Sequence, residues 1–268
     1  MKIFKAGKFT LNLSEKTYVM GILNVTLDSF SDGNKWFNTE SAVNHALQMQ
    51  NDGADIIDIG AQSTRPGYIK ITPQEELMRL IPVLRALKGQ INVPVSVDTF
   101  YPEVAKEALN EGVDIINDVN GFKNELMIEV AAQSDCGCIV MHDGPNVQMK
   151  NFFDSKLNKM VENNISQSRI CFDPGIGFGK TYEENLDVLK NLKKYLVKNV
   201  PMLVGASRKR VIGAPCGNPP FVERMPGTVA AHTIAILNGA NIIRVHDVKE
   251  AVQAAKVADA ILKSNLEG

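Results

Sequence analysis

The stretch DIIDIGAQS, Asp55 to Ser63, sets Ile56, Ile57 and Ile59 on both faces of an extended chain and then turns polar. A strand with one wet face alternates apolar and polar residues, whereas a run apolar on both faces is what a parallel strand covered on both sides requires. Seven further Val- and Ile-rich runs of this kind recur along the chain: YVMGILNVT from Tyr18, VPVSVDT from Val93, DIINDVNG from Asp114, CIVMHD from Cys138, RICFDPG from Arg169, PMLVGAS from Pro201 and NIIRVHD from Asn241. Segments of helical spacing separate them. ESAVNHALQMQNDGA sets Ala42, Val43, Ala46, Leu47 and Met49 along one side and ends near Gly53, and PEVAKEALNEGVD starts at Pro102 and ends near Gly112. Eight such β-then-α units, with no linker and no strand polar enough for an edge, predict a single-domain (β/α)8 TIM barrel over residues 1–268, in preference to an open doubly wound sheet.

Composition narrows the function. Of the 268 residues, 44% are hydrophobic and 22% charged, the balance of an ordinary globular chain. The 29 basic and 30 acidic side chains nearly cancel, so no global field draws the protein to nucleic acid or to an anionic membrane. No apolar run approaches the roughly 18 residues of a membrane span. The opening segment is interrupted by Lys5, Lys8 and Asn12 and lacks the apolar centre of a signal peptide. A cytoplasmic protein is expected. Cys136, Cys138, Cys171 and Cys216 form neither a disulfide framework nor a zinc-type pattern, and are expected to be free thiols.

Every apolar run ends in groups that can do chemistry: Asn24, Asp58, Asp98, Asn117 with Asp118, His142, Asp173, Ser207, and Arg244 with His246. In a barrel these ends share one face, where active sites are built. Asp98, Asn117, Asp173 and Lys209 suit a flat heterocycle with donors and acceptors on its edge, because a carboxylate accepts two N–H bonds from an amidine-like edge. Asp98 and Asp173 could instead hold a divalent metal between them, a reading that the nearby cations weaken. Arg244, His246, the run SRKR from Ser207 to Arg210, and Arg65 in STRPG gather cations where barrels hold phosphate, which points to an anion with several oxygens. DPGIGFGKT, Asp173 to Thr181, is not a P-loop, because Pro174 stands where its first glycine is needed. It reads as a glycine-rich turn that brings backbone and Phe178 close to a ligand.

These residues also carry a likeness. GILNVTLDSFSDG, DIGAQSTRPG, SVDT, IND, DPGIGFGKT, SRK and RVHDV stand in the order and approximate spacing of the dihydropteroate synthase family, which the chain resembles from about Met20 to Asp247. The resemblance implies displacement of pyrophosphate from 6-hydroxymethyl-7,8-dihydropterin diphosphate by the amine of 4-aminobenzoate, with magnesium assisting the leaving group. Carried over by motif, Asn24 positions magnesium and Asp98, Asn117, Asp173 and Lys209 hold the pterin. Thr64, Arg65, Arg244 and His246 meet the diphosphate, and Arg208 lies near the aryl carboxylate or braces its loop. The catalytic set is then Asp98, Lys209, Arg65, Arg244 and His246, with Phe30, Pro66 and Phe178 forming walls of the second pocket. A homodimer is implied, with the final helix, carrying Ala251, Ala255, Val257, Ala258 and Ile261, packed on the barrel or on a second subunit.

Departures from the family pattern stand at Leu27, usually Pro, at Gln62, usually Glu, and at Arg210, usually a small residue. DGPNV replaces a Met-Gln-Gly after His142, and the short stretch to Arg169 implies a truncated fifth helix. Two other readings keep the barrel: a methyltetrahydrofolate methyltransferase, which would have little use for the rim cations, and a non-catalytic paralogue that binds pterin.

Overall fold

The computed structural model describes residues 2–25, 35–62 and 69–264. β1 (Ile3–Ala6) and β2 (Phe9–Asn12) form an antiparallel hairpin that the periodicity of the sequence does not announce. The eight expected runs then follow as β3 (Tyr18–Asn24), β4 (Ile56–Gly60), β5 (Val95–Asp98), β6 (Ile115–Asp118), β7 (Gly137–Met141), β8 (Ile170–Asp173), β9 (Leu203–Val204) and β10 (Ile242–Val245). They pair in parallel in the order β8-β7-β6-β5-β4-β3-β10-β9, and the bridge Phe172↔Met202 joins the two ends. The sheet is therefore a closed barrel.

The connecting helices are α1 (Lys35–Asn51), α2 (Pro73–Leu87), α3 (Pro102–Asn110), α4 (Glu125–Ala132), α5 (Asn146–Glu162), α6 (Tyr182–Lys190), α7 (Arg210–Gly213), α8 (Met225–Leu237) and α9 (Val248–Lys263). Their starts are encoded locally. Thr72 with Glu75, and Thr181 with Glu184, each exchange side-chain and backbone hydrogen bonds in a capping box that satisfies otherwise orphaned N–H groups. The fifth helix is not truncated as the sequence led one to expect: α5 runs for 17 residues and begins at Asn146, inside DGPNV, with Pro145 as the residue that caps it. Its Phe153 stacks on Phe172 of β8, ring centroids 4.3 Å apart, which anchors the helix to the barrel wall.

Alternation along the strands sorts the barrel into layers. Outward residues such as Ile57, Ile59, Val97, Val140 and Phe172 pack beneath the helices. The lower inward layer is apolar except at Ser96 of β5: Met20, Ile56, Ile115, Ile139, Cys171, Leu203 and Ile242 close on the hairpin residues Phe4, Ala6 and Leu11. The hairpin is a plug. A Cβ on Gly137 would lie 2.7 Å from the Phe4 ring and 3.1 Å from the Lys5 carbonyl, so β7 admits the plug only where it has no side chain. Two residues further along each strand the inward positions are Ile22, Asp58, Asp98, Asn117, Met141, Asp173, Gly205 and Arg244, and the interior turns polar.

Phe4 is fully buried at the centre of the floor. Phe4→Ala is expected to lower the unfolding free energy by about 3–5 kcal/mol, the usual cost of an aromatic cavity. Equilibrium urea denaturation measures it, and a loss below about 1 kcal/mol would mean that the hairpin does not seal the barrel.

Candidate active site

One cation organises the upper layer. Arg244 donates from Nε to Asp58 Oδ2 at 2.6 Å and from Nη2 to Asp98 Oδ2 at 2.7 Å, while Asn117 Nδ2 donates to the same Asp58 oxygen at 3.1 Å. Parallel register aligns Asp98 with Asn117 directly and sets Asp58 beside Ser96, so strands β4, β5, β6 and β10 each contribute one polar group. A single guanidinium thus serves two buried carboxylates. Burial pushes Asp98 up to about 7, opposed by Arg244 and reinforced by the charges of Asp58, Glu76 and Asp118. Burial alone would weaken the charge on Arg244, but Asp58 and Asp98 outweigh it and hold the guanidinium more firmly protonated than usual.

Across the barrel, Asp173 Oδ1 accepts from Gly175 N at 2.7 Å, and burial raises its pKa against the pull of Lys209. Lys209 donates to the Ile176 carbonyl at 2.6 Å and lies 4.7 Å from the centre of the Phe178 ring. Burial lowers it to about 8, with Asp173 the largest counterweight. The loop that carries Phe178 is pinned to its neighbour. A Cβ on Gly175, where φ is +67°, would lie 2.1 Å from the His142 carbonyl, and Lys180 donates to the carbonyls of His142 at 3.2 Å and Phe178 at 3.1 Å. His142 itself is buried beside Phe152 and Phe153, and burial together with Lys180 lowers it to about 4.

The basic run divides. Arg208 has φ +56°; its backbone N–H donates to Thr228 Oγ1 at 2.9 Å and its guanidinium grips Asp247 with Nε at 2.9 Å and with Nη2 as well. Of the two places the sequence allows it, Arg208 takes the loop brace. Arg210 is exposed at the start of α7. Ser207 Oγ lies 2.9 Å from His246 Nδ1, and Phe221 meets the His246 ring edge-on with centroids 5.2 Å apart. Asn24 is exposed at the end of β3. Thr64 and Arg65, with Leu27, Phe30 and Pro66, lie outside the described residues.

Residues 20–246 match the family described as pterin binding enzyme. A dihydropteroate synthase of Clostridium beijerinckii is 43% identical, over 97% of this chain and 99% of that protein. The chain belongs to the dihydropteroate synthase family of pterin-binding enzymes. Among solved structures, a Xanthomonas albilineans dihydropteroate synthase with 4-aminobenzoic acid superposes with a TM-score of 0.90 at 38% identity, covering 96% of each chain. A Burkholderia cenocepacia dihydropteroate synthase complexed with 7,8-dihydropteroate gives a TM-score of 0.88 at 34% identity, covering 97% of this chain and 96% of that one.

Within that family frame the barrel brings together Asp98, Asn117, Asp173, Lys209 and Arg244 as the sequence leads one to expect, and adds Asp58. Parity was the available signal: Asp58 stands two residues after inward Ile56, as Asn117 stands two after inward Ile115. The same rule sends Asp118 outward, where its oxygens accept from the backbone of Asn120 and Phe122, each at 2.8 Å. The Gln62 departure is also intelligible, because Gln62 Oε1 accepts from Ile71 N at 2.8 Å and so needs only an oxygen there. Asp98 and Asp173 face Arg244 and Lys209 respectively, and no cluster of three or more His, Cys, Asp or Glu side chains suited to a metal occurs among the described residues.

An acid whose folded pKa exceeds its unfolded value, near 3.8 for Asp98, keeps its proton longer in the folded state. The folded state therefore loses stability as pH rises from about 4 to about 7, and loses no more from this group above that. Asp98→Asn should flatten the pH dependence of unfolding in this window, measured by denaturant titration of ligand-free protein. An unchanged slope would show that Asp98 stays ionised throughout.

Proposed function

We propose that this chain condenses 6-hydroxymethyl-7,8-dihydropterin diphosphate with 4-aminobenzoate to give 7,8-dihydropteroate and pyrophosphate, as a transferase of folate biosynthesis. The observation that carries the reading is the polar layer above a sealed apolar floor, with Asp98, Asn117 and Asp173 around it and Lys209 and Arg244 balancing their charge. A pterin is flat and presents amidine-like N–H groups, so carboxylates at this depth reward it and penalise analogues that lack those donors.

The reaction breaks the bond between the pterin methylene carbon and the diphosphate oxygen, whose electron pair leaves with pyrophosphate. The amine nitrogen of 4-aminobenzoate forms the new bond to that carbon and then releases a proton. The aromatic amine attacks in its neutral form, so no strong base is needed. What the chain must supply is stabilisation of positive charge on the ring side and of negative charge on the departing oxygens. Asp98 and Asp173 serve the first need. Arg244 and His246, with Arg65 and Thr64 from the loop after β4, serve the second, and Phe178 walls the aminobenzoate pocket.

Asn24 offers one neutral oxygen at the mouth of the barrel, which suits a hard cation that takes most of its other ligands from phosphate oxygens and water. Magnesium bound there would neutralise charge on the leaving diphosphate. No helix of the described residues is long and apolar enough to cross a membrane, and the free thiols of Cys136, Cys138, Cys171 and Cys216 fit a reducing cytoplasm. Ile234 on α8 and Val257, Ile261 and Leu262 on α9 are exposed, which supports a homodimer through these helices.

Purified protein given magnesium and both substrates should release pyrophosphate. A protein that binds reduced pterin without releasing any would instead be a non-catalytic paralogue. Lys209→Ala should weaken pterin binding by about 10-fold or more, as expected when a charged hydrogen-bond donor to the ligand is lost. Arg210→Ser should act mainly on the KM for 4-aminobenzoate. Equal effects of both changes on pterin affinity would show that the two cations have been assigned wrongly.

A further inference from the structure

Asp58 is fully buried, and although it ends an apolar run and opens the motif DIGAQSTRPG, neither gives it a part in ligand binding. Its Oδ2 accepts from Arg244 Nε at 2.6 Å and from Asn117 Nδ2 at 3.1 Å, while its buried Oδ1 has no hydrogen-bond partner among the described residues. A carboxylate held this deep with one oxygen idle is an expensive way to fill space. The barrel does not need it for packing, because Ile22 and Met141 occupy the same inward layer as ordinary apolar side chains.

We infer that Asp58 is a positioning residue, which fixes the Asn117 amide and the Arg244 guanidinium so that the pocket reads a flat ring with a donor and an acceptor side by side on its edge. The inference rests on the pterin reading above. An amide anchored through one Nδ2 hydrogen cannot turn over, and it keeps Oδ1 and its second N–H hydrogen for a ligand. That fixed pair matches a ring nitrogen adjacent to a ring N–H. The guanidinium is held in the same way. With Nε on Asp58, Arg244 reaches Asp98 through Nη2 alone and leaves Asp98 an oxygen free to accept from the ligand. Without Asp58, the guanidinium can turn its fork onto Asp98 and compete with the ligand for both oxygens.

Two variants separate positioning from scaffolding. Asp58→Leu replaces the buried acid by an apolar side chain of similar volume, and Asp58→Asn preserves the shape and removes the charge. Binding of 6-hydroxymethyl-7,8-dihydropterin, measured by calorimetry without magnesium, should weaken by about 10-fold or more in both, the effect of losing a charge-assisted hydrogen-bond partner. Both variants should still unfold cooperatively without ligand, at lowered thermal midpoints because Arg244 loses one of its two carboxylates, and the KM for 4-aminobenzoate should stay within about 2-fold, since an isolated polar change rarely acts beyond its neighbours. In an Asn117→Ala background, Asp58→Asn should cost much less pterin affinity than it does alone, because the two side chains act as one unit.

Pterin binding unchanged in Asp58→Leu would overturn the inference, and so would losses that simply multiply in the double variant. Loss of folding in both single variants would make Asp58 a structural residue and would also overturn it. A wild type that binds no pterin at all would sink the proposed function, and this inference with it, and is told apart from the other outcomes because it appears before any substitution is made.

Discussion

The sharing of one guanidinium between Asp58 and Asp98 sets the terms for the rest of the barrel. With Asp173 across the barrel, four charged groups lie inside a sheet whose other inward residues are chiefly aliphatic, and such an arrangement holds only if every member has its partner and water cannot enter from below. The hairpin floor meets the second condition. Strand register meets the first, because Arg244 on β10 must rise to the height of Asp58 and Asp98 on strands two and three places away around the wall. Two acids around one fixed cation leave this cluster short of donors, which is the feature that supports the proposed donor-rich ring as its ligand.

The loops above translate that core into a mouth. Gly175 lies against the His142 carbonyl, Lys180 ties both loops together, and Phe178 stands over Lys209, so close backbone packing holds the loop that presents this aromatic ring. Beside that loop, Arg208 locks Asp247 and orders the turn from which Lys209 reaches inward. Neighbouring cations in one short run therefore do unlike work because the backbone turns between them, with a left-handed residue at Arg208 and an extended one at Lys209.

The sequence made the barrel strands legible because burial on both faces leaves an unmistakable apolar run, and it made the polar strand ends legible because they break that run. It said less about direction. Asn117 and Asp118 are adjacent and both polar, yet one faces the ligand layer and the other caps a loop, and only strand parity counted from Ile115 tells them apart. The hairpin escaped notice because IFKA and FTLN are four-residue strands whose meaning is tertiary: they are ordinary until the barrel that they seal exists. A short connecting stretch and an absent motif do not shorten the fifth helix, because NVQMKNFFDSKLNKMVE carries 17 helical residues with Met149, Phe153 and Met160 on its buried side.

The way the ends of the chain meet bears on how the molecule assembles. Thr17 donates from its backbone and hydroxyl to Asp259, Lys2 reaches Asn241, and β3 completes its pairing only with β10. These contacts join residues more than two hundred positions apart, and such loops are costly to close. Neighbouring β-then-α units can form early as the chain emerges, but the seal at the base and the ring of charge above it both wait for the last quarter of the chain. Arg244 lies in that quarter, so the pairing of Asp58 and Asp98 with their counter-ion is among the contacts of longest sequence separation in the molecule.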